Sequence, residues 1–378
     1  MLTISLRPAL RGLRTPRLAR AFNVLAVESS ADDTCASIVS SSRKILSNVV
    51  VKQHDIHEKD GGINPYTAIA AHQRNMPGAV RRALDEAGMD ISQVDGIAFT
   101  RGPGIGGCLS VGSNAAKTLA AALNKPLVGV HHMQAHALTP FLTTPESELP
   151  QFPFLTLLVS GGHTLLLLAT SVTRFRILAT TNDESIGRSI DKVSRMLGLA
   201  WSGIGPGAAL ERFCASEYDL PLPNLDPLPR PMPGQLAFSF SGIHSAVERL
   251  VTARGDRSMD LPTKLALARG FQSAAIDHVQ DKVLLALKWC TQHNVEVRHL
   301  VMSGGVASNM LLRQRLEDCL QKVNPSDPIS LVYPPPALCT DNAAMIAWAS
   351  MHRFLAEDHD DYSIDLRAKW SIEDLSTD

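Results

Sequence analysis

The order of strands and helices along the chain is the feature that most limits its fold. From residue 23, apolar stretches separated by polar turns (FNVLAVESS, CASIVSS and KILSNVVV) predict three strands in a meander. A helix, the strand VDGIAFT, the helix LSVGSNAAKTLAAALN, the strand PLVGV and the helix start HHMQAHAL follow. FLTLLVS, HTLLLLAT and TRFRILAT then begin a second set, which continues with helices near 187–197 and 261–293, the strand VRHLVMS and the helix SNMLLRQRL.

This repeated order predicts an α/β fold with two ribonuclease-H-like lobes. In such paired lobes a nucleotide occupies the cleft between them. We expect the first lobe at 23–150, the second at 151–340, and a C-terminal helix and tail at 341–378 that packs back on the first lobe. The stretch 218–234, rich in proline and leucine, predicts an irregular excursion on the surface.

The N-terminal segment differs in composition from the rest of the chain. Its first 22 residues contain five arginines and no acidic residue, which is typical of a mitochondrial presequence; the alternative is a disordered basic tail. Without these five arginines the chain has 31 basic residues instead of 36, against 37 acidic ones, so its net charge is −6. The remaining chain would therefore need a local basic patch to bind nucleic acid.

Cysteines and apolar runs exclude other classes of protein. The six cysteines are scattered, with no C-x-x-C pair, so we expect a reducing compartment and no disulfide framework. No apolar run reaches the ~18 residues that a membrane helix requires, so a soluble protein without a membrane segment is predicted.

Glycine turns follow several of the predicted strands. RGPGIGG, SGGHT and SGGVASN come directly after strands, and GIGPG, at 203–207, follows a helix. Any one of them favours a tight turn, but together they indicate a nucleotide site, because glycine lets backbone N–H groups approach phosphate closely. The first hairpin, ESSADDT, supplies Glu28, Asp32 and Asp33, which could orient a metal-bound phosphate, act as general base or cap a turn.

A histidine pair lies in GVHHMQAHALTP, residues 129–140. His132 and His136 are four positions apart, so both imidazoles could reach one metal ion from the same helix face. The spacing resembles the H-E-x-x-H zinc helix, but Met133 stands where that motif has its glutamate base. Asp341, in CTDNAAMIA, could be a third ligand; helix capping explains it equally well, and ordinary surface or capping roles remain open for the histidines.

Eight motifs together resemble a known family. They are LAVESSADDT, RGPGIGGCLSVG, GVHHMQAH, LLVSGGHT, SIDKVSRMLGL, FSFSGIHSA, VMSGGVASN and CTDNAAMIA. Their order is that of the universal tRNA N6-threonylcarbamoyladenosine transferase family, in its mitochondrial branch. The resemblance implies a fold of the actin, sugar-kinase and heat-shock-ATPase type. It also implies transfer of threonylcarbamoyl from its adenylate to N6 of adenosine 37 in mitochondrial tRNAs that read codons beginning with A.

The resemblance also implies roles for particular residues. His132, His136 and Asp341 would hold one divalent metal ion per subunit, iron or zinc. Threonylcarbamoyl-AMP or ATP would be the nucleotide ligand, and Asp32 or Asp33 would help to take the proton from the adenosine amine. The implied nucleotide-binding residues are Ser160, Gly161, Gly162, His163, Asp191, Gly205 and Asn309.

Partners and departures follow from the same resemblance. The chain would act on tRNA as a homodimer in the mitochondrial matrix, and a separate synthase would supply threonylcarbamoyl-AMP. Four positions depart from the usual family pattern: Asp33, Tyr66, Gln134 and His244. The alternatives are a metallopeptidase, a non-catalytic ATP-binding scaffold and, less favoured, a sugar kinase.

Overall fold

The computed structural model describes residues 20–53, 56–58, 62–217, 221–254 and 259–376. The segment predicted as a presequence therefore lies outside the described residues, except for its last three positions. Among these three, Arg20 pairs with Asp95 at 2.9 Å. The Asp95 carboxylate also accepts a hydrogen bond from the backbone N–H of Asn23, where the first strand begins.

Within the described residues the strands form two five-stranded sheets. The first contains β1 (Asn23–Glu28), β2 (Thr34–Ser40), β3 (Ile45–Val51), β4 (Gly96–Gly102) and β5 (Leu127–His131), in the order β3-β2-β1-β4-β5. The second contains β6 (Phe154–Val159), β7 (Thr164–Ala169), β8 (Phe175–Thr180), β9 (His299–Ser303) and β10 (Ser330–Val332), in the order β10-β9-β6-β7-β8.

Both sheets have the same topology. In each, three consecutive strands pair antiparallel, and two later strands are added in parallel beside the first of them. The predicted α/β fold with a repeated unit is confirmed. The sequence did not predict β10, because this strand is only three residues long and lies at a sheet edge.

Helices cover the sheets, and many begin with a side-chain cap. They are α1 (Pro65–Glu86), α2 (Gly106–Ala122), α3 (His132–Thr143), α4 (Ile186–Met196), α5 (Pro206–Ala215), α6 (Ser241–Arg254), α7 (Leu261–Gln292), α8 (Met310–Val323), α9 (Pro336–Cys339) and α10 (Ala343–Leu355). Their capping side chains accept hydrogen bonds from first-turn N–H groups and include those of Asn64, Ser185, Asp260, Asn309 and Asn342.

Helix α3 packs against both sheets. Leu138 and Leu142 lie in an apolar cluster with α10 and the first sheet. Met133 and Ala137 lie in a second cluster, on the second sheet. A helix that is apolar on all sides is buried, and α3 is buried over most of its length. The two histidines of its first turns are therefore held between the two halves of the molecule.

The outer faces of the two sheets have their own cores. Helices α1 and α2 cover the first sheet, and α4, α6 and α7 cover the second. Helix α10 contacts α3 and strands of the first sheet. Among the helices in the described part of the chain, none combines the length and apolar character needed to cross a bilayer.

Candidate active site

Strand ends from the two sheets lie around one cleft. β1 ends at Glu28, β5 at His131, β6 at Val159 and β9 at Ser303. β1, β4 and β5 are parallel, as are β6 and β9, so these ends lie on one edge of each sheet. The crevice outside the carboxyl ends of strands is the usual ligand site in open α/β sheets.

His132, His136 and Asp341 come together in this cleft. Nε2 of His136 lies 3.1 Å from Oδ1 of Asp341, and Nε2 of His132 lies 3.5 Å from the same oxygen. The candidate ligand atoms of the three residues all lie within 4.8 Å of one another. Asn342 caps α10, so the Asp341 carboxylate is not the cap of this helix. The structure thus joins the three residues that the sequence singled out for a metal.

The second ring nitrogen of each histidine contacts a neighbouring polar side chain. Nδ1 of His132 lies 3.4 Å from Oε2 of Glu28 and 3.3 Å from Oγ of Ser30. Nδ1 of His136 lies 3.3 Å from Oγ of Ser303. Metal-binding histidines commonly use one nitrogen for the ion and the other for an orienting contact. Two imidazoles and one carboxylate are a donor set that suits iron(II) or zinc, so the residues present fit a divalent ion.

Charges in the triad are strongly coupled. Burial alone would lower the pKa of His132, but the carboxylates of Asp341 and Glu28 raise it to about 10. Burial would raise the pKa of Asp341, but His132 holds it well below its usual value. Burial lowers the pKa of His136. The two carboxylates therefore keep His132 protonated, and a metal cation bound to the triad would replace this positive charge.

Asp32 and Asp33 follow β1 at the entrance to this cleft. Burial, and next the charges of Asp32 and Asp341, raise the pKa of Asp33 to about 8. The Asp33 side chain is buried, and its Oδ1 has no hydrogen-bond partner among the described residues. Asp32 is half-buried. A carboxyl group with a pKa near neutrality suits proton transfer.

The turn from Ser160 to His163 connects β6 to β7 and faces the histidines. The backbone N–H of His163 donates to Oγ of Ser160 at 3.0 Å, and Oγ of Ser185 donates to the carbonyl of Gly161 at 2.6 Å. Within the described part of the chain, the backbone N–H groups of Gly161 and Gly162 donate no hydrogen bond to a backbone carbonyl, so they can bind an anion. Burial, and next the charge of His132, lower the pKa of His163 to about 4, so its imidazole is neutral near pH 7.

A narrow pocket lies beside this turn in the second half of the chain. Its lining includes Ile186, Ile190, Gly207, Glu211, Gln272 and Asn309. Gly205 is instead the N-cap of α5, with φ of 87°, a conformation that favours glycine. Asp191 lies on α4, and burial raises its pKa to about 6, which the Arg195 charge opposes and the Asp32 charge assists.

Several site residues were missed from the sequence. The sequence singles out Glu28 only as part of the first hairpin and does not predict that its carboxylate lies against His132. Ser303 is 167 positions from His136, and no spacing rule connects them. Glu211 accepts a hydrogen bond from the backbone N–H of Met310 at 2.7 Å and lines the pocket. The roles of the three glycines of GIGPG could not be told apart without the helix start at Pro206.

Three of the four departures from the family pattern have clear surroundings. Gln134 donates its amide to the Val172 carbonyl at 2.8 Å and so has a structural partner. His244 contacts Glu184, which also binds Lys192. Tyr66 is 86% exposed at the start of α1. None of these three residues belongs to the histidine and aspartate cluster.

Comparison with known proteins decides the family. The sequence model of the tRNA N6-adenosine threonylcarbamoyltransferase family matches residues 44–348. The chain belongs to this family. A relative with that name from Sphingopyxis alaskensis is 40% identical, over 93% of this chain and 95% of the relative. The Schizosaccharomyces pombe relative, named as the mitochondrial form, is 39% identical over 95% of this chain and 88% of the relative.

Solved structures agree on the fold. HypF, in a phosphate- and nucleotide-bound form, is similar with a TM-score of 0.53 at 13% identity, over 90% of this chain and 56% of HypF. Component A of (R)-2-hydroxyglutaryl-CoA dehydratase from Acidaminococcus fermentans is similar with a TM-score of 0.50 at 14% identity, over 86% of this chain and 96% of that protein. These similarities support the predicted two-lobed fold of the actin and sugar-kinase type.

Proposed function

We propose that the chain transfers the threonylcarbamoyl group from threonylcarbamoyl-AMP to N6 of adenosine 37 in mitochondrial tRNAs that read codons beginning with A. The family membership supports the reaction type. The observation that carries the proposal is the cluster of His132, His136 and Asp341, which lies in the same cleft as the Ser160–His163 turn.

The metal triad supplies the electrophilic side of the reaction in this proposal. His132, His136 and Asp341 would hold one iron or zinc ion per subunit, with Glu28 and Ser303 fixing the imidazoles. When bound, the ion would act as a Lewis acid on the substrate oxygens. The free N–H groups of Gly161 and Gly162 would bind the phosphate of the adenylate, and His163, neutral near pH 7, would add a hydrogen bond.

The nucleotide would extend from this turn into the adjacent pocket. Asn309 lines this pocket together with Gly207 and Glu211 and is a candidate contact for the AMP part. Asp191, on α4, is a second candidate contact. Gly205 would act indirectly by setting the start of α5. Threonylcarbamoyl-AMP and ATP share the adenosine and the first phosphate, so both fit this proposal.

In this proposal the first hairpin provides the base that accepts the proton of the N6 amine. The N6 amine attacks the carbamoyl carbon, a C–N bond forms, the C–O bond to phosphate breaks and AMP leaves. The amine proton must pass to a base. Asp33, with its pKa near 8, is the stronger candidate, and Asp32 is the alternative. Exocyclic adenine amines are weak nucleophiles, so positioning contributes more than base strength.

The rival functions fit these residues less well. A metallopeptidase of the H-E-x-x-H type needs a carboxylate at position 133, but Met133 lies in the apolar cluster between α3 and the second sheet. A scaffold that only binds ATP would not need the buried triad. Neither alternative is favoured by the names of the relatives.

Location and assembly are part of the proposal. The mitochondrial relatives from Schizosaccharomyces pombe and Arabidopsis thaliana, and the arginine-rich N-terminal segment, support the mitochondrial matrix. We propose a homodimer, supplied with the adenylate by a separate synthase, on the resemblance alone. Light scattering of the purified chain tests the dimer, and an average mass near one subunit would refute it.

Nucleoside mass spectrometry tests the reaction. An unmodified tRNA that reads codons beginning with A is incubated with the full chain, metal, threonine, bicarbonate, ATP and an adenylate synthase. Threonylcarbamoyladenosine should form with both proteins and not with synthase alone. ATP binding without product, from a folded and metal-loaded chain, would instead support the scaffold.

A further inference from the structure

The solvent-facing side of α4 carries a row of cations. Arg188, Lys192 and Arg195 are four and then three positions apart, so they lie on one face of the helix. Arg188 and Arg195 are exposed, and Lys192 is half-buried. The ammonium of Lys264 lies 3.9 Å from where a side chain would begin at Gly198, just after the end of α4. We call these four residues the basic band.

The exposed charge of Arg188 is not balanced by an acidic partner within the described residues. On α1, by contrast, exposed Arg81 and Arg82 each have an acidic partner four positions later. Glu184 lies four positions before Arg188 but contacts Lys192 and His244. Within the described residues, no carboxylate forms an ion pair with Arg188. Its guanidinium therefore faces solvent with an unpaired charge, which is available for an anion.

The band also borders the candidate active site. Nη1 of Arg195 lies 3.7 Å from where a side chain would begin at Gly62, between β3 and α1 on the other side of the cleft. Asp191, on the same helix, responds to the charge of Asp32 in the first hairpin. An anion bound along this face of α4 would thus lie next to the cleft entrance.

We propose that the basic band binds backbone phosphates of the tRNA beside the adenosine that enters the cleft. This inference rests on the proposed function. The chain without its first 22 residues has a net charge of −6, so its overall field repels a polyanion and a local basic surface must hold it. One guanidinium group can bind two phosphate oxygens at once, which suits the side chains of Arg188 and Arg195 to binding the tRNA backbone.

Charge reversal tests the band. Arg188→Glu and Arg195→Glu are made singly in the full chain, with Arg298→Glu as the matched control. Arg298 is exposed, and it precedes β9 at the end of that strand opposite the cleft. Binding of a fluorescent unmodified tRNA is measured by anisotropy over a series of salt concentrations. The melting temperature checks that each variant is folded, and AMP binding is a second check for Arg188→Glu and Arg298→Glu.

Loss of phosphate contacts should be visible in both affinity and salt dependence. Each band variant should bind tRNA about 5- to 30-fold more weakly, with a slope of log affinity against log salt that is smaller by about one. Arg298→Glu should stay within about twofold of wild type, and AMP binding should be unchanged in Arg188→Glu and Arg298→Glu. Wild-type tRNA affinity and slope in both band variants would overturn the proposal.

Wild-type transfer activity separates the two claims. If the wild type binds tRNA through the band but makes no threonylcarbamoyladenosine, the proposed reaction fails and the band stands. If the wild type makes product and the band variants bind tRNA normally, the band is wrong and the reaction stands. If the wild type neither binds tRNA nor makes product, both are wrong.

Discussion

Asp33→Asn should change how stability depends on pH. The unfolded carboxyl group titrates near its ordinary pKa of 3.8, and the folded one near 8. Between pH 5 and pH 8 the folded wild type therefore holds about one more proton than the unfolded chain. By linkage the wild type should lose up to about 1.4 kcal/mol of stability per pH unit, or at most about 4 kcal/mol over this range. Asparagine has no proton to lose, so the variant lacks this decline.

Urea unfolding followed by tryptophan fluorescence measures the effect. Chelator is present throughout, because a bound cation would stabilise the Asp33 carboxylate. The unfolding free energy of the variant relative to wild type should rise by about 2 to 4 kcal/mol from pH 5 to pH 8. Asp85→Asn is the control, since Asp85 is exposed and its pKa is lowered by Arg81, so it stays ionised over this range. Parallel pH curves for wild type and Asp33→Asn would refute a raised pKa at Asp33.

Three further results are expected. Gly187→Ala should raise the KM for the adenylate by about 5- to 150-fold, without changing metal content. The new side chain would begin 2.5 Å from the Ser160 carbonyl oxygen, and the resulting distortion of the turn should cost ~1–3 kcal/mol of adenylate binding; an unchanged KM would contradict this. Asp183→Asn should lower the free energy of unfolding in urea by ~1–2 kcal/mol at pH 7, because hydrogen bonds from serine hydroxyls and backbone N–H groups outweigh partial burial and hold the pKa of Asp183 low. The difference between variant and wild type should shrink below about pH 4, and a difference that does not change with pH would contradict this explanation. Zinc affinity measured by calorimetry should rise by up to about tenfold per pH unit between about pH 6 and 9, and protons should be released on binding. The reason is that His132, with a pKa of about 10, must lose its proton before it can bind the ion; an affinity that does not change with pH would argue against binding through His132.

Much of the fold could be predicted because its strands are long and apolar. β1, β2 and β6 are almost wholly buried, and each gives a clear apolar run. The repeated order of elements then predicted the paired lobes. β10 was not predicted because three partly exposed residues at a sheet edge give no periodic hydrophobic pattern. Pairing with β9, which depends on distant parts of the chain, defines that strand.

The candidate site could be predicted only in part, since local spacing relates close neighbours alone. The four-residue interval predicted that His132 and His136 lie together. Asp341 is 205 positions from His136, so the residues alone offered it only as a possible third ligand, and the resemblance implied the full set. The glycine turns also serve different purposes. A side chain at Gly102 would begin 1.8 Å from the Arg367 carbonyl oxygen, so close packing requires glycine there, whereas Gly161 and Gly162 face open space. Sequence alone could not separate these two uses.

Transfer from purified threonylcarbamoyl-AMP to an unmodified tRNA, with no synthase present, tests the central claim most directly. Nucleoside mass spectrometry should find threonylcarbamoyladenosine with the metal-loaded wild type, and the His132→Ala, His136→Ala double variant should lose both metal and product. Product from the metal-free double variant would contradict the role of the triad. Absence of product from a folded wild type that binds metal, adenylate and tRNA would contradict the transferase itself.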